Sequence, residues 1–195
     1  MRLMRTSDIS QRPVVTYAGE DVAQIKDLVY AADGGSIIGF TLAGRGLFAG
    51  PLKVGLSWAS VAALGSDAVM IADEDAFAST KEVLDRSPGA GTHGNVIGSQ
   101  VLTEDGVGLG TVHDVVVSVD GTGGGQCDVV GYEIVASEQM STQGEKVLIP
   151  LPDTIAASGQ HLMVPASVKD FVGHDLAGFG AAIDQFRAQL RSTES

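Results

Sequence analysis

The stretch GEDVAQIKDLV at residues 19–29 returns as GVGLGTVHDVV at residues 106–116. Glycine opens both stretches, and apolar residues and an aspartate follow at the same steps. The matching pairs are Val22 with Leu109, Ile25 with Val112, and Asp27 with Asp114. Internal similarity of this kind indicates a repeated structural unit. We therefore expect two copies of one small fold.

The similarity extends outward in both directions from this stretch. Upstream, TYAG at 16–19 matches TEDG at 103–106. Downstream, GFTL at 39–42 matches GYEI at 131–134, and VGLSW at 54–58 matches VLIPL at 147–151. Each copy then has about 75 residues, a size at which a domain folds alone but buries a modest fraction of its surface. We expect the copies to pack together or to dimerise.

Strand and turn signals dominate each copy, and helical signals are confined to two places. The hairpin signal DGG at 33–35 separates two runs of apolar and β-branched residues. The acidic start and basic end of residues 73–86 predict a short amphipathic helix. Near the end of the chain, apolar residues recur at three- and four-residue steps and predict a second amphipathic helix: Leu176, Phe179, Ile183, Phe186 and Leu190.

The first copy resembles the PRC-barrel family, named for the H subunit of the photosynthetic reaction centre. The resemblance lies in residues 19–29, in DGGSIIGF at 33–40 and in LSWASVAALGSDAV at 56–69. The second copy keeps the glycines and aspartates but lacks the Trp and the Gly-Asp-Ala turn. The resemblance implies a small, strongly bent β-barrel in each copy. Members of this family act as interaction modules, and none of their known roles supplies a catalytic motif for this chain.

These observations predict a mainly β protein with two small PRC-type β-barrels in tandem, a short inter-domain helix and a C-terminal amphipathic helix. We predict the first PRC-like barrel at residues 1–74 and the helix with its Gly-rich linker at residues 75–94. The second PRC-like barrel is expected at residues 95–173, and the C-terminal helix and tail at residues 174–195.

Composition argues against several classes of partner. The 12 Lys and Arg stand against 24 Asp and Glu, for a net charge of −12. Such a charge repels phosphate backbones and anionic membrane surfaces. We expect no nucleic-acid partner and, because charges and glycines break the longest apolar stretch, no integral membrane segment. One cysteine and no apolar leader favour a cytoplasmic protein.

No arrangement of reactive residues points to catalysis. The four His lie outside the spacings of a helix-borne zinc site, and GVGLG at 106–110 lacks the strand–loop–helix context of a dinucleotide site. Asp27 and Asp114 are expected to be structural carboxylates. Cys127 is expected to be an inert thiol. We therefore predict a protein that is not an enzyme and that has no catalytic, cofactor or metal site.

The favoured hypothesis is a protein–protein interaction or scaffolding module that binds a protein partner, with homodimerisation left open. Leu47 and Phe48, in a Gly-rich loop, are candidates for an exposed docking element or for burial against the other copy. Phe179 and Phe186 are candidates on the C-terminal helix, where their face is expected to be buried by domain docking or dimerisation. The alternative hypothesis is a small-molecule or anion-binding regulatory protein that uses the cleft between the two barrels.

Overall fold

The computed structural model describes residues 2–45, 50–85, 91–92, 96–120, 125–140, 143–152, 156–158 and 161–193. The chain divides into two compact units. The first unit comprises Met1–Arg2, Thr6–His93 and Ser118–Asp128, and the second comprises Leu3–Arg5, Gly94–Val117 and Val129–Ser195. The domain limits expected from the sequence stay predictions beside this division.

Strands make up most of the regular structure in the described part of the chain, so the prediction of a mainly β fold is confirmed. The strands, in chain order, are β1 Arg2–Arg5, β2 Pro13–Thr16, β3 Asp21–Tyr30, β4 Ile37–Ala43, β5 Pro51–Ser57, β6 Ala63–Leu64, β7 Val69–Ile71, β8 Phe77–Ser79, β9 Gly91–Thr92, β10 Gln100–Thr103, β11 Gly108–Val119, β12 Cys127–Ala136, β13 Lys146–Pro150, β14 Ala156–Ser158 and β15 His161–Val164. The α-helices are α1 Thr6–Ile9, α2 Thr80–Asp85 and α3 Leu176–Thr193. Shorter 3-10 helices occur at Trp58–Ser60, Glu74–Ala76 and Ala166–Phe171.

One curled sheet forms the first unit, in the order β6-β7-β2-β3-β4-β5-β8 with β9 beside β3. Strand β2 is antiparallel to β3 and parallel to β7. The buried side chains of neighbouring strands, among them Leu28, Phe40 and Leu56, have no exposed surface. Their burial removes apolar surface from water, which stabilises the curled sheet.

The sheet of the second unit has the order β13-β12-β11-β10-β15-β14, with β1 beside β11. Strand β10 is antiparallel to β11 and parallel to β15, the same arrangement that β2 has in the first unit. The registers also agree: Val14 lies opposite Ala23 and Val69, and Val101 lies opposite Gly110 and Leu162. The strand pairing therefore repeats as the internal similarity of the sequence predicts.

The turn that opens the first long strand of each unit has the same hydrogen bonds. Thr16 accepts the N–H of Glu20 at its Oγ1 (3.2 Å), and Thr103 accepts the N–H of Val107 in the same way (3.0 Å). The two matching glycines, Gly19 and Gly106, have φ angles of 85° and 80°. Glycine adopts these left-handed angles at no steric cost, which explains why both copies carry it here.

Residues 73–86 do not form one helix, so that prediction is wrong. Strand β8 occupies Phe77–Ser79 and pairs with β5, and helix α2 begins only at Thr80. Ser79 and Glu82 form a capping box at the start of α2: the N–H of Glu82 donates to Ser79 Oγ (3.2 Å), and the N–H of Ser79 donates to Glu82 Oε2 (2.8 Å). Pairing with β5 satisfies backbone groups that a longer helix would have bonded internally.

A helix packs over a strand glycine in each unit. A Cβ added to Gly39 would lie 2.7 Å from Val83 Cγ1 of α2, and one added to Gly131 would lie 2.7 Å from Phe179 of α3. The predicted C-terminal helix is confirmed as α3, and Asp175 caps it by accepting the N–H of Gly178 (2.8 Å). The side chains of these helices therefore occupy the space that the glycines leave open.

Candidate functional site

Of the four candidate interaction residues, two lie in the described part of the chain, and both of these are buried. Leu47 and Phe48 lie outside the described residues. Phe179 and Phe186 are completely buried within the second unit. Phe179 belongs to a core cluster with Val116, Val130, Leu148 and Ile183, and the ring of Phe186 lies 5.4 Å from that of Phe171. The two aromatic side chains of α3 therefore stabilise their own unit.

An exposed aromatic side chain stands at the turn after β2. Tyr17 is 69 % exposed, more than any other large apolar side chain among the described residues. Its N–H donates to the carbonyl of Ile71 (3.1 Å), which holds the turn against the end of β7. Exposed carboxylates lie in the two segments that this hydrogen bond joins: Glu20 in the same turn, and Asp73, Glu74 and Asp75 directly after β7. We call these five residues the Tyr17 surface.

The Tyr17 surface has the chemistry to bind cations. An aromatic face attracts Lys and Arg side chains, and the exposed carboxylates supply charge-assisted acceptors. Asp73 accepts the N–H of Asp75 (3.0 Å), which orders the acidic segment. In the second unit Glu104 takes the place of Tyr17, because its N–H donates to the carbonyl of Val164 (3.1 Å). The exposed aromatic ring is thus a feature of the first unit.

The two matching aspartates have different surroundings. Asp27 is partly exposed. Its carboxylate accepts a hydrogen bond from the hydroxyl of Thr41 (3.2 Å) and forms an ion pair with Lys26 (3.3 Å). Asp114 is 4 % exposed and accepts the N–H of Val115 (2.7 Å) at its Oδ1. Both carboxylates accept hydrogen bonds from groups of their own sheet, which is the behaviour of structural carboxylates.

A charged network lies beside Asp114 in the second unit. The side chain of Glu133 is only 7 % exposed. Its Oε2 accepts a hydrogen bond from Arg5 Nε and lies 2.6 Å from both Nε and Nη2 of that guanidinium. Lys146 Nζ lies 4.0 Å from Glu133 and 2.7 Å from Nε2 of His113. Since a Lys side chain carries only donors, Nε2 of His113 is the acceptor in this contact. The network links β1, β11, β12 and β13.

Sequence reasoning missed Glu133 and its partner Arg5. A signal for Glu133 was present, because it is a carboxylate inside the apolar run 129–135 and replaces Thr41 of the first copy. A charge at such a position predicts a buried ion pair, since an unpaired buried charge is costly. Arg5 had no comparable signal, because the pairing of β1 with β11 joins residues that are distant along the chain.

Cys127 is buried, and its burial raises the pKa of the thiol to about 12. A thiol with that pKa is almost entirely protonated near neutral pH, and the protonated thiol is a poor nucleophile. The structure therefore supports the expectation of an inert cysteine.

Labelling of Cys127 provides a direct test of this burial. At about pH 8, a thiol with an ordinary pKa of about 8.5 is roughly one quarter thiolate, and a pKa of about 12 lowers that fraction by a factor of about two thousand. We expect DTNB to react with the native protein on the order of a thousand times or more slower than with the urea-unfolded protein, with the native rate rising as pH increases. Equal rates in the two states would contradict the burial.

In a comparison with known families, residues 1–76 match the model of the PRC-barrel domain. The match covers the first copy, including the residues that carry the resemblance, and stops before the second. No curated protein matches the chain.

Among the described residues, no group of three or more His, Cys, Asp or Glu side chains is placed to hold a metal ion. None of the helices in the described ranges is long and apolar enough to cross a membrane.

Proposed function

We propose that this chain is a non-catalytic protein with two PRC-type barrels that acts as a protein–protein interaction module, and that the Tyr17 surface is one of its contacts. The observation that carries the proposal is the 69 % exposure of Tyr17 beside exposed carboxylates. Aromatic side chains presented to solvent on an ordered backbone are typical centres of binding energy at protein interfaces.

Charge supports a basic partner. The net charge of −12 favours association with positively charged surfaces and accelerates their encounter. Lys or Arg side chains of such a partner would contact the ring of Tyr17 and pair with Asp73, Glu74 and Asp75. The interaction is then expected to weaken as salt concentration rises, because exposed charges are screened.

Affinity capture from the native cell tests the proposal when it is made with matched variants. Wild-type protein, Tyr17→Ala and Ile97→Ala serve as baits, since Ile97 is also exposed (39 %) but lies in the second unit. We expect the wild type and Ile97→Ala to capture a basic protein, and Tyr17→Ala to capture much less of it. In calorimetry, the purified partner should bind the wild type directly and bind Tyr17→Ala at least tenfold more weakly, a loss of about 1.4 kcal/mol.

Two results would contradict this function. A direct partner that binds wild type and Tyr17→Ala with equal affinity would exclude the Tyr17 surface as its contact. A partner that is acidic, with binding insensitive to salt, would exclude the electrostatic part of the proposal.

A further inference from the structure

A cavity of about 140 Å³ opens in the second unit between β10, β11 and the end of β12. Its lining residues are all uncharged: Gln100, Val101, Leu102, Gly108, Gly110, Thr111 and Ser137. The cavity lies at a β-bulge, because Val101 is opposite Gly110 while Leu102 is opposite Gly108. A bulge bends its strand and disrupts the regular ladder, which here leaves room between the strands.

The two glycines of the cavity have different physical roles. A Cβ added to Gly110 would lie 2.1 Å from the carbonyl oxygen of Val135, so the close approach of β12 requires glycine there. A Cβ added to Gly108 would meet only Leu102 Cδ2, at 3.8 Å, and Gly108 has an ordinary φ angle. Packing and backbone geometry therefore allow a side chain at Gly108. Because Gly108 has no side chain, the space beside Leu102 stays open.

The first unit has the same bulge, with a side chain at the position that corresponds to Gly108. Val14 is opposite Ala23 and Val15 is opposite Asp21, so Asp21 occupies the position of Gly108. The side chain of Asp21 is held by an ion pair with Arg45 at 2.5 Å. An ion-paired side chain thus occupies in the first unit the position that is vacant in the second.

We propose that this cavity of the second unit binds a small uncharged molecule with a branched apolar body and one amide or hydroxyl group. Cavities of about 150 Å³ accept molecules of the size of benzene, which sets the size of the ligand. Leu102 supplies apolar side-chain surface, and Gln100 and Thr111 supply hydrogen-bonding side chains. The hydroxyl of Ser137, which also lines the cavity, donates to the carbonyl of Gly108 (2.6 Å) and so closes one side of it. The net charge of −12 disfavours an anion, and no lining carboxylate compensates a cation.

Titration with isobutyramide, followed by amide NMR shifts of the full chain, tests this site independently of the Tyr17 surface. We expect a dissociation constant on the order of 1–10 mM, as suits a ligand of six non-hydrogen atoms. The shifts should concentrate at Val101, Leu102, Gly108 and Thr111. Isobutyrate, which has the same shape and a negative charge, should bind at least tenfold more weakly.

Gly108→Val should fill the cavity and abolish these shifts, whereas Gly50→Ala, at an open position of the first unit, should leave them unchanged. Thr111→Val keeps the shape of the side chain and removes its hydroxyl, so it should weaken binding about threefold or more and serves as a second variant if Gly108→Val unfolds. The proposal is overturned if isobutyramide causes no localised shifts in the wild type, if Gly108→Val or Thr111→Val binds as the wild type does, or if isobutyrate binds equally well.

Discussion

Replacing Phe179 with alanine is expected to destabilise the second unit by about 3–5 kcal/mol, the range measured for buried Phe-to-Ala changes. Phe179 has no exposed surface, and its ring packs against Val116, Val130, Leu148 and Ile183. Its removal leaves a cavity directly above Gly131, which has no side chain to fill it. The whole free energy of unfolding of a domain is about 5–15 kcal/mol, so the loss is a large share.

Urea unfolding followed by circular dichroism at 222 nm measures this effect, because α3 is the longest helix of the described residues. Gln185→Ala is a matched control, since Gln185 lies on the same helix and is exposed. Changes at such surface positions usually stay within about 0.5 kcal/mol. A loss below about 1 kcal/mol for Phe179→Ala would show that α3 does not pack on the sheet through this ring.

The second large effect is expected from Gly39→Ala in the first unit, at about 3 kcal/mol of destabilisation. The added Cβ would lie 2.5 Å from the carbonyl oxygen of Leu56 and 2.7 Å from Val83 Cγ1. The carbonyl belongs to the backbone of β5, which pairs with β4 at this point, so it cannot move without disrupting the ladder. Overpacking of this kind forces strain into a close-packed interior.

Fluorescence of Trp58 reports this change, because Trp58 is the only tryptophan and its ring lies 6.0 Å from that of Phe40, the neighbour of Gly39. Gly50→Ala is the control, since nothing lies within 4 Å of its added Cβ. The double variant Gly39→Ala/Val83→Ala should be destabilised by less than the sum of the two single changes, because one of the two close contacts is removed. If Gly39→Ala and the wild type had the same midpoint of urea unfolding, the tight packing of α2 on this strand would be contradicted.

The repeat, the strands and the C-terminal helix were predictable because their signals are local. Alternation of apolar residues marks a strand, three- and four-residue spacing marks α3, and a left-handed turn needs glycine at Gly19 and Gly106. The capping box of Ser79 and Glu82 is equally local, and it marks the start of α2. These features depend on neighbours along the chain, which the sequence displays directly.

The candidate sites depended on contacts between distant residues. Charge composition argued against anionic partners, but the exposure of Tyr17 follows from its turn being held at the end of β7. The cavity follows from a bulge between β10 and β11 together with the vacancy at Gly108. No pattern in a single segment encodes either feature.

The duplication, the mainly β fold class and the acidic, cysteine-poor composition follow from the order and type of the residues alone. Contacts between distant segments place Phe77–Ser79 in a sheet, assign Ser118–Asp128 to the first unit and pair Arg5 with Glu133. The physical reason is that strand pairing, burial and ion pairing depend on which distant segments become neighbours. Local preference for helix or strand is weak beside the free energy of those contacts.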